Sequence, residues 1–418
     1  MTGSRRAPAL AGAVLLVLTG GVAALLLPWT PLPGAHGHVD VLRDFTRAQL
    51  AREDTFHAAL RPWSYASLVL GLGVAGLLGL TPLGARLVAA VARPVGGGWG
   101  WRVVLGTLAL GVVGRVVTLP LDVRSEVVLR DYGLSAQTWG SWALDAVKGT
   151  LVGSATTALA LLALVALARR LPRTWWAWGA GAAAALVAVG SFAYPVVVEP
   201  LFNSFTPLPA GQLRTDLLAL ARRDGVPVQD VLVADASRRT TALNAYVSGF
   251  GPSRRIVLYD TLVRESSPRE VELVVAHELG HAKRNDVGVG TLVGALGSAA
   301  GVCLLGLVLG SPRVLRRAGV DGPGDARVVA LLVFLVAATT LATSPLVDLS
   351  SRRVEARADV HALDLTRDPA TFERSQVRLS VTNLSDLDPS PFVYGMFSTH
   401  PTGPQRMLLA REWERLRG

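Results

Sequence analysis

The sequence predicts a mainly α protein: a multi-pass bundle of about seven transmembrane helices carrying a small α+β domain. Three observations predict it. Of the 418 residues, 50% are hydrophobic and only 17% charged, and the mean hydropathy is +0.41, too apolar for an ordinary soluble domain. Seven apolar runs reach or approach the ~20 residues that cross a bilayer's hydrocarbon core. Between the fifth and sixth, the composition turns soluble-like, with a helix, three short strand patterns and a second helix in that order. The net charge of +10 comes mostly from arginines beside apolar runs, which marks membrane interfaces and no nucleic-acid partner. The single cysteine, Cys303, lies in an apolar run; this excludes an internal disulfide framework and a cysteine metal site.

Arg5 and Arg6 precede the first run, 9–27. It is long for a signal-peptide core and no small-x-small site closes it, so it reads as an uncleaved span. Residues 29–62 follow as a mixed-charge loop that includes His36, His38 and His57, which share no ligand spacing. The second span covers 65–80, with a continuation towards 91. Gly96-Gly97-Gly98 breaks the chain without the Lys-Ser/Thr of a phosphate loop. The third span, 103–121, contains Arg115, read equally as a hydrated cavity residue or one half of an ion pair. A polar connection over 132–148 leads to a fourth span, 150–168, and Trp175, Trp176 and Trp178 open a fifth that ends near 193.

The soluble stretch begins with a helix from Gln212 that stops at Gly225, with Pro227 beyond. Strands are expected over 231–234, 245–248 and 256–259, and two further spans over 287–309 and 328–346. The division expected is an N-terminal region, 1–195, with five spans, and a second region, 196–418, with the remaining two.

The chemistry centres on Val274-Val275-Ala276-His277-Glu278-Leu279-Gly280-His281. Ser267-Pro268-Arg269-Glu270 supplies an N-cap, a first-turn proline and the Glu of a capping box, so the segment is helical. On a helix, His277 and His281 share a face and reach one metal ion. Glu278 sits about 100° round, beside that face, placed to act on a metal-bound water without competing for the metal. Two neutral nitrogens, an open position and a base are what a zinc peptidase needs, so the soluble part reads as a zincin-like catalytic domain. A third ligand is required. The candidates are His361, His400, Glu355, Asp359 and Asp364, and composition does not choose among them. Glu355 and Asp359, four apart, share a helix face, so one can bind metal while the other holds a ligand imidazole.

Five ordered pieces resemble a known family. They are the Tyr194-to-Leu208 stretch containing Glu199-Pro200-Leu201-Phe202-Asn203; Asn244-Ala245-Tyr246 with Gly249-Phe250; the His-Glu-x-x-His segment; Ser351-Arg352 followed by Glu355-Ala356-Arg357-Ala358-Asp359; and Thr399-His400-Pro401 followed by Arg406. Together they resemble the membrane-embedded M48 zinc metallopeptidases of the CAAX prenyl protease 1 type. The resemblance implies one zinc per chain held by His277, His281 and Glu355, with Glu278 as base, Asp359 in an outer role, His400 stabilising the oxyanion and Arg406 supporting it. Asn244-Ala245-Tyr246 falls at the family's substrate-binding edge strand, which reads backbone more than side chains. Ala282 and Asp286 depart from the bulky aromatic and histidine of eukaryotic relatives, at positions that are not ligands.

The expected partners are a peptide or membrane-associated protein substrate and the bilayer. The oligomeric state is not legible. A quality-control protease without prenyl specificity, or a membrane protein stapled by structural zinc, are the competing readings, and Glu278 argues against the second. The resemblance puts the catalytic side in the cytosol. The short arginine-rich segments at Arg5, Arg6, Arg86, Arg93, Arg169, Arg170, Arg173, Arg313, Arg316 and Arg317 lie on the opposite side and pull the other way.

Overall fold

The computed structural model describes residues 3–418, with the side chains of residues 3–5 and 252 outside that description; the charge expected at Arg5 is among them. Seven helices, among the described residues, are long and apolar enough to cross a membrane. Five precede the soluble domain: α1 (Gly3–Leu26), α2 (Arg47–Leu80), α3 (Trp99–Asp131), α4 (Trp139–Arg170) and α5 (Trp175–Ala193). The domain then contributes β1 (Phe205–Pro207), α6 (Gln212–Asp224), β2 (Asp230–Ala234), β3 (Ala245–Ser248), β4 (Arg255–Tyr259) and α7 (Pro268–Arg284). The last two membrane helices are α8 (Asp286–Leu309) and α9 (Val329–Thr366), and α10 (Pro369–Thr382), α11 (Pro391–Phe397) and α12 (Gly403–Arg417) complete the chain.

Four of the membrane helices, α2, α3, α4 and α9, are longer than a bilayer requires. The 34 residues of α2 span about 51 Å, against a hydrocarbon core of roughly 30 Å. The surplus turns stand outside the bilayer and carry the soluble domain. This corrects two expectations. Residues 47–62 are helix, not loop, because Thr46 and Gln49 form a capping box that starts α2 there (Thr46 N–H donates to Gln49 Oε1 at 2.8 Å). His57 is therefore helical, its Nε2 3.0 Å from the Leu384 carbonyl. Likewise α4 starts at Trp139, where Thr138 accepts from the Ser141 N–H, so only the first part of 132–148 is a connection. Thr81 ends α2, and the continuation towards 91 is a separate short helix, Pro82–Val91.

Within the bundle, small residues set the close approaches. A Cβ on Gly79 would lie 2.7 Å from Phe334 Cβ and 2.9 Å from the Ala330 carbonyl, so α2 and α9 touch backbone to backbone there. Arg115 of α3 donates to Asp122 at 2.8 Å, and Ser67 of α2 donates to the same carboxylate at 2.9 Å. Arg115 also borders a second cavity of about 520 Å³ beside α4, so the two readings of this residue coexist.

The sheet order is β1-β2-β4-β3, with β2 and β4 parallel and the outer pairs antiparallel. β1 was not foreseen, since three residues carry no periodicity. Leu217, Val231, Ile256, Val275, Leu279 and Leu363 fill the core between sheet, α6, α7 and the outer end of α9. β3 lies at the open edge, and its turn is pinned to the membrane helix α5 by Phe192 against Phe250, ring centroids 4.3 Å apart.

Candidate active site

Two helices build the site. The capping box at Ser267 fixes the start of α7: its side chain accepts from the Glu270 N–H, and Glu270 reaches back to the Ser267 N–H at 2.8 Å. The helix ends at Asn285, whose φ of 53° turns the chain into membrane helix α8. Opposite α7 runs the outer half of α9, which brings Glu355 and Asp359 across from the two histidines.

His277 Nε2 lies 3.1 Å from His281 Nε2 and 3.1 Å from Glu355 Oε2, while His281 Nε2 lies 3.6 Å from Glu355 Oε1. Nitrogen and oxygen ligands about 2.1 Å from a tetrahedral metal are roughly 3.4 Å apart, so the three groups fit one divalent ion. The outer nitrogens support that fit. His277 Nδ1 donates to Asp359 at 2.9 Å and His281 Nδ1 donates to Asp286 at 2.9 Å. Each carboxylate fixes a tautomer that leaves the Nε2 lone pair facing inward. The other candidate ligands point elsewhere. His361 Nε2 donates to Asp224 at 3.0 Å, with its ring against Gly280 of α7. Asp364 accepts from Trp413 Nε1 at 2.8 Å.

Asp359 is fully buried. Arg406 Nε donates to it at 2.8 Å, and burial alone would lower the guanidinium's pKa, but the Asp359 charge outweighs it and raises it. Arg406 thus stays charged and keeps Asp359 a carboxylate acceptor for His277. Asp286 does the same for His281 and is itself paired with Arg357. The sequence noted Asp286 only as a departure. Its position five residues after His281 held the signal, but the bend at Asn285 decides where it points. Asp286→Ala is expected to weaken metal binding by about 10–100-fold in a competitive chelator titration, and Asp286→Asn, which keeps an acceptor oxygen, by less.

Glu278 lines a cavity of about 1010 Å³ together with His277 and His281. Burial pushes its carboxyl above the ordinary range, opposed by the neighbouring histidines. His400 enters from the other side, its Nε2 3.4 Å from Glu355 Oε1 and its Nδ1 2.8 Å from Thr399 Oγ1. The loop carrying it is held by the buried Arg352, one turn before Glu355, which donates to the carbonyls of Tyr394 (2.8 Å) and Ser398. In the sequence Arg352 is only part of the Ser-Arg piece before Glu355, and nothing local signals this hold on a distant loop.

β3 forms another wall. Tyr259 N–H donates to the Asn244 carbonyl at 3.0 Å. By antiparallel alternation Ala245 and Val247 then turn their backbone groups outward, and both line the cavity, as does Asn244. Tyr246 does not: it pairs inward with Val257 and its ring packs edge-on against Tyr259. Of the three residues expected on this wall, Val247 replaces Tyr246.

A His-His-Glu cluster beside a free carboxylate and an open strand edge, set on seven membrane helices, defines an integral-membrane metallopeptidase. The comparisons agree. Residues 207–414 match the model of peptidase family M48, and residues 65–204 match the CAAX prenyl protease N-terminal model, described as five membrane helices. The chain belongs to family M48, in its CAAX prenyl protease 1 group, and is a metalloendopeptidase. It is 31% identical over 307 residues to the "Uncharacterized metalloprotease YhfN" of Bacillus subtilis, covering 73% of this chain and 72% of that one. It is 31% identical to a CAAX prenyl protease 1 homolog of Oryza sativa, covering 73% of each. The crystal structure of S. mikatae Ste24p has the same fold, with a TM-score of 0.76 and 22% identity over 96% of this chain and 98% of that one.

Proposed function

We propose that this chain is a zinc-dependent endopeptidase of the membrane, with one zinc held by His277, His281 and Glu355. The observation that carries the proposal is the inward set of three ligand atoms, all within 4.8 Å of one another, beside the Glu278 carboxylate, which lines the same cavity. Zinc bound there supplies a Lewis acid that polarises the scissile carbonyl and makes water acidic enough to attack near neutral pH.

The chain's own groups do the rest. An extended peptide pairs with the outward groups of Ala245 and Val247, backbone to backbone, which admits varied sequences. The Asn244 side chain accepts from the Ala245 N–H at 2.9 Å, marking a place a substrate carbonyl takes over. Glu278 accepts the proton of the attacking water and passes it to the leaving amine. His400 donates to the carbonyl oxygen as negative charge develops. Asp359, Arg406 and Asp286 hold the two imidazoles in place throughout. Residues 1–195 form the N-terminal region with five membrane helices, and 196–418 the peptidase domain, which includes the last two.

The test uses full-length protein in detergent with internally quenched peptides, prenylated and unprenylated. Stripping the metal with a chelator is expected to abolish cleavage, and one equivalent of zinc to restore it. Undiminished cleavage by metal-free protein overturns the proposal. Equal cleavage of both peptide types supports a broad quality-control role, and selective cleavage of the prenylated one supports the activity named for the plant relative.

A further inference from the structure

One wall of the cavity is helix α10. Its residues 372, 375, 376, 379 and 380 and its C-cap Asn383 recur at helical spacing, and all of them line the cavity. A face buried this deeply is ordinarily apolar throughout, as Phe372 and Leu379 are. Ser375, Gln376 and Ser380 are polar instead, at 3%, 5% and 5% exposure. Asn383, at the end of the stripe, has a task already: its amide accepts from the Leu243 N–H at 2.9 Å and donates to the Leu243 carbonyl at 3.2 Å, fixing the approach to β3.

Gln376 has no such task. Its amide offers two donors and an acceptor, and no hydrogen bond ties it to the described residues. Its amide atoms are not fully sealed, and what remains accessible of them opens onto the cavity the residue lines. The neighbouring arginines are engaged elsewhere: Arg378 with Glu270 at 2.9 Å, Arg374 with the Thr371 hydroxyl, Arg406 with Asp359, and Arg61 with Asp386. The wall therefore presents neutral hydrogen-bonding groups and no free charge. A nearly buried amide without a partner is unfavourable unless something entering the cavity completes it.

We propose that Gln376, flanked by Ser375 and Ser380, forms a specificity subsite that takes a neutral hydrogen-bonding side chain, an amide or a hydroxyl, of a peptide paired with β3. This inference rests on the peptidase reading above. An extended peptide alternates its side chains between two sides, so a residue directed at α10 has neighbours directed away. Selectivity is expected at one substrate position and not at those flanking it.

The experiment digests a position-scanned peptide library with the zinc-loaded full-length protein and reads the products by mass spectrometry. The wild type is expected to enrich Gln, Asn, Ser and Thr at one position over Leu, Lys and Glu. Gln376→Leu should lower the Gln-to-Leu ratio there by about tenfold. Gln376→Glu should move the preference at the same position towards Lys and Arg, and it serves where the leucine variant does not fold. The subsite is overturned if the wild type shows no neutral polar preference, or if the variants keep the wild-type profile, as a merely water-filled wall would. If the wild type and Glu278→Gln release the same products at the same rate, the peptidase reading itself falls, and the subsite with it.

Discussion

Glu278→Gln is expected to fold and load metal as the parent does, yet to cleave peptides roughly 10²–10⁴-fold more slowly, the usual contribution of a positioned general base. The expectation of an intact fold follows from what Glu278 lacks. No hydrogen bond ties its carboxylate among the described residues, whereas the carboxylates around it are each engaged: Asp359 with His277 and Arg406, Asp286 with His281 and Arg357. The isosteric amide therefore removes a proton acceptor and no structural contact. Thermal unfolding and metal content should match the parent. The pH dependence follows from the same residue. Burial raises the Glu278 carboxyl above its ordinary value, and only the ionised form accepts a proton. Cleavage is therefore lost as pH falls through the pKa this carboxyl has beside the bound metal, whose own charge opposes the effect of burial. The residual activity of Glu278→Gln should lack this acid limb. A variant that cleaves at the parental rate, or keeps the same acid limb, removes Glu278 from the role of base.

What the sequence disclosed of this site depended on how local each feature is. The cap at Ser267, the four-residue spacing of His277 and His281 and the flanking Glu278 all lie within one helix, and the helix formed as its pattern required. The strands and the stop at Gly225 were legible for the same reason. The third arm of the cluster was not. Helical spacing put Glu355 and Asp359 on one face, but which face meets α7 is a matter of how two distant helices pack, and only the family resemblance singled out Glu355. Hydropathy found the membrane runs but not their polar extensions, since the outer turns of α2 and α4 leave the bilayer and lose the apolar signal. The strand wall shows the sharpest limit. The family resemblance put residues 244–246 on a strand edge, yet which residues turn outward there depends on pairing parity with β4, and a shift of one residue exchanges Tyr246 for Val247. Asp286 and Arg352 act through backbone turns, at Asn285 and at 394–398, which no periodicity encodes.

Glu355→Ala separates metal holding from proton transfer. The wild-type carboxylate faces three imidazole nitrogens at once: His277 at 3.1 Å, His281 at 3.6 Å and His400 at 3.4 Å. Alanine leaves two neutral nitrogens and no third arm, and a two-ligand site is short of what catalytic zinc requires. Metal affinity should fall by at least about 100-fold, beyond the upper range for losing an outer partner such as Asp286, and cleavage should disappear with it. Because α9 continues well beyond residue 355, and Asp359, Ala362 and Leu363 keep it packed on the domain core, the helix itself should persist. Loss of metal with an unaltered circular dichroism spectrum is thus the expected result. Excess zinc should recover part of the cleavage in Glu355→Ala, because its base is intact, and none in Glu278→Gln, whose site is already loaded. A parental metal content in Glu355→Ala would take Glu355 out of the ligand set. Zinc rescue of both variants alike would mean that the two carboxylates share one role, against the division of labour that their positions on α7 and α9 imply.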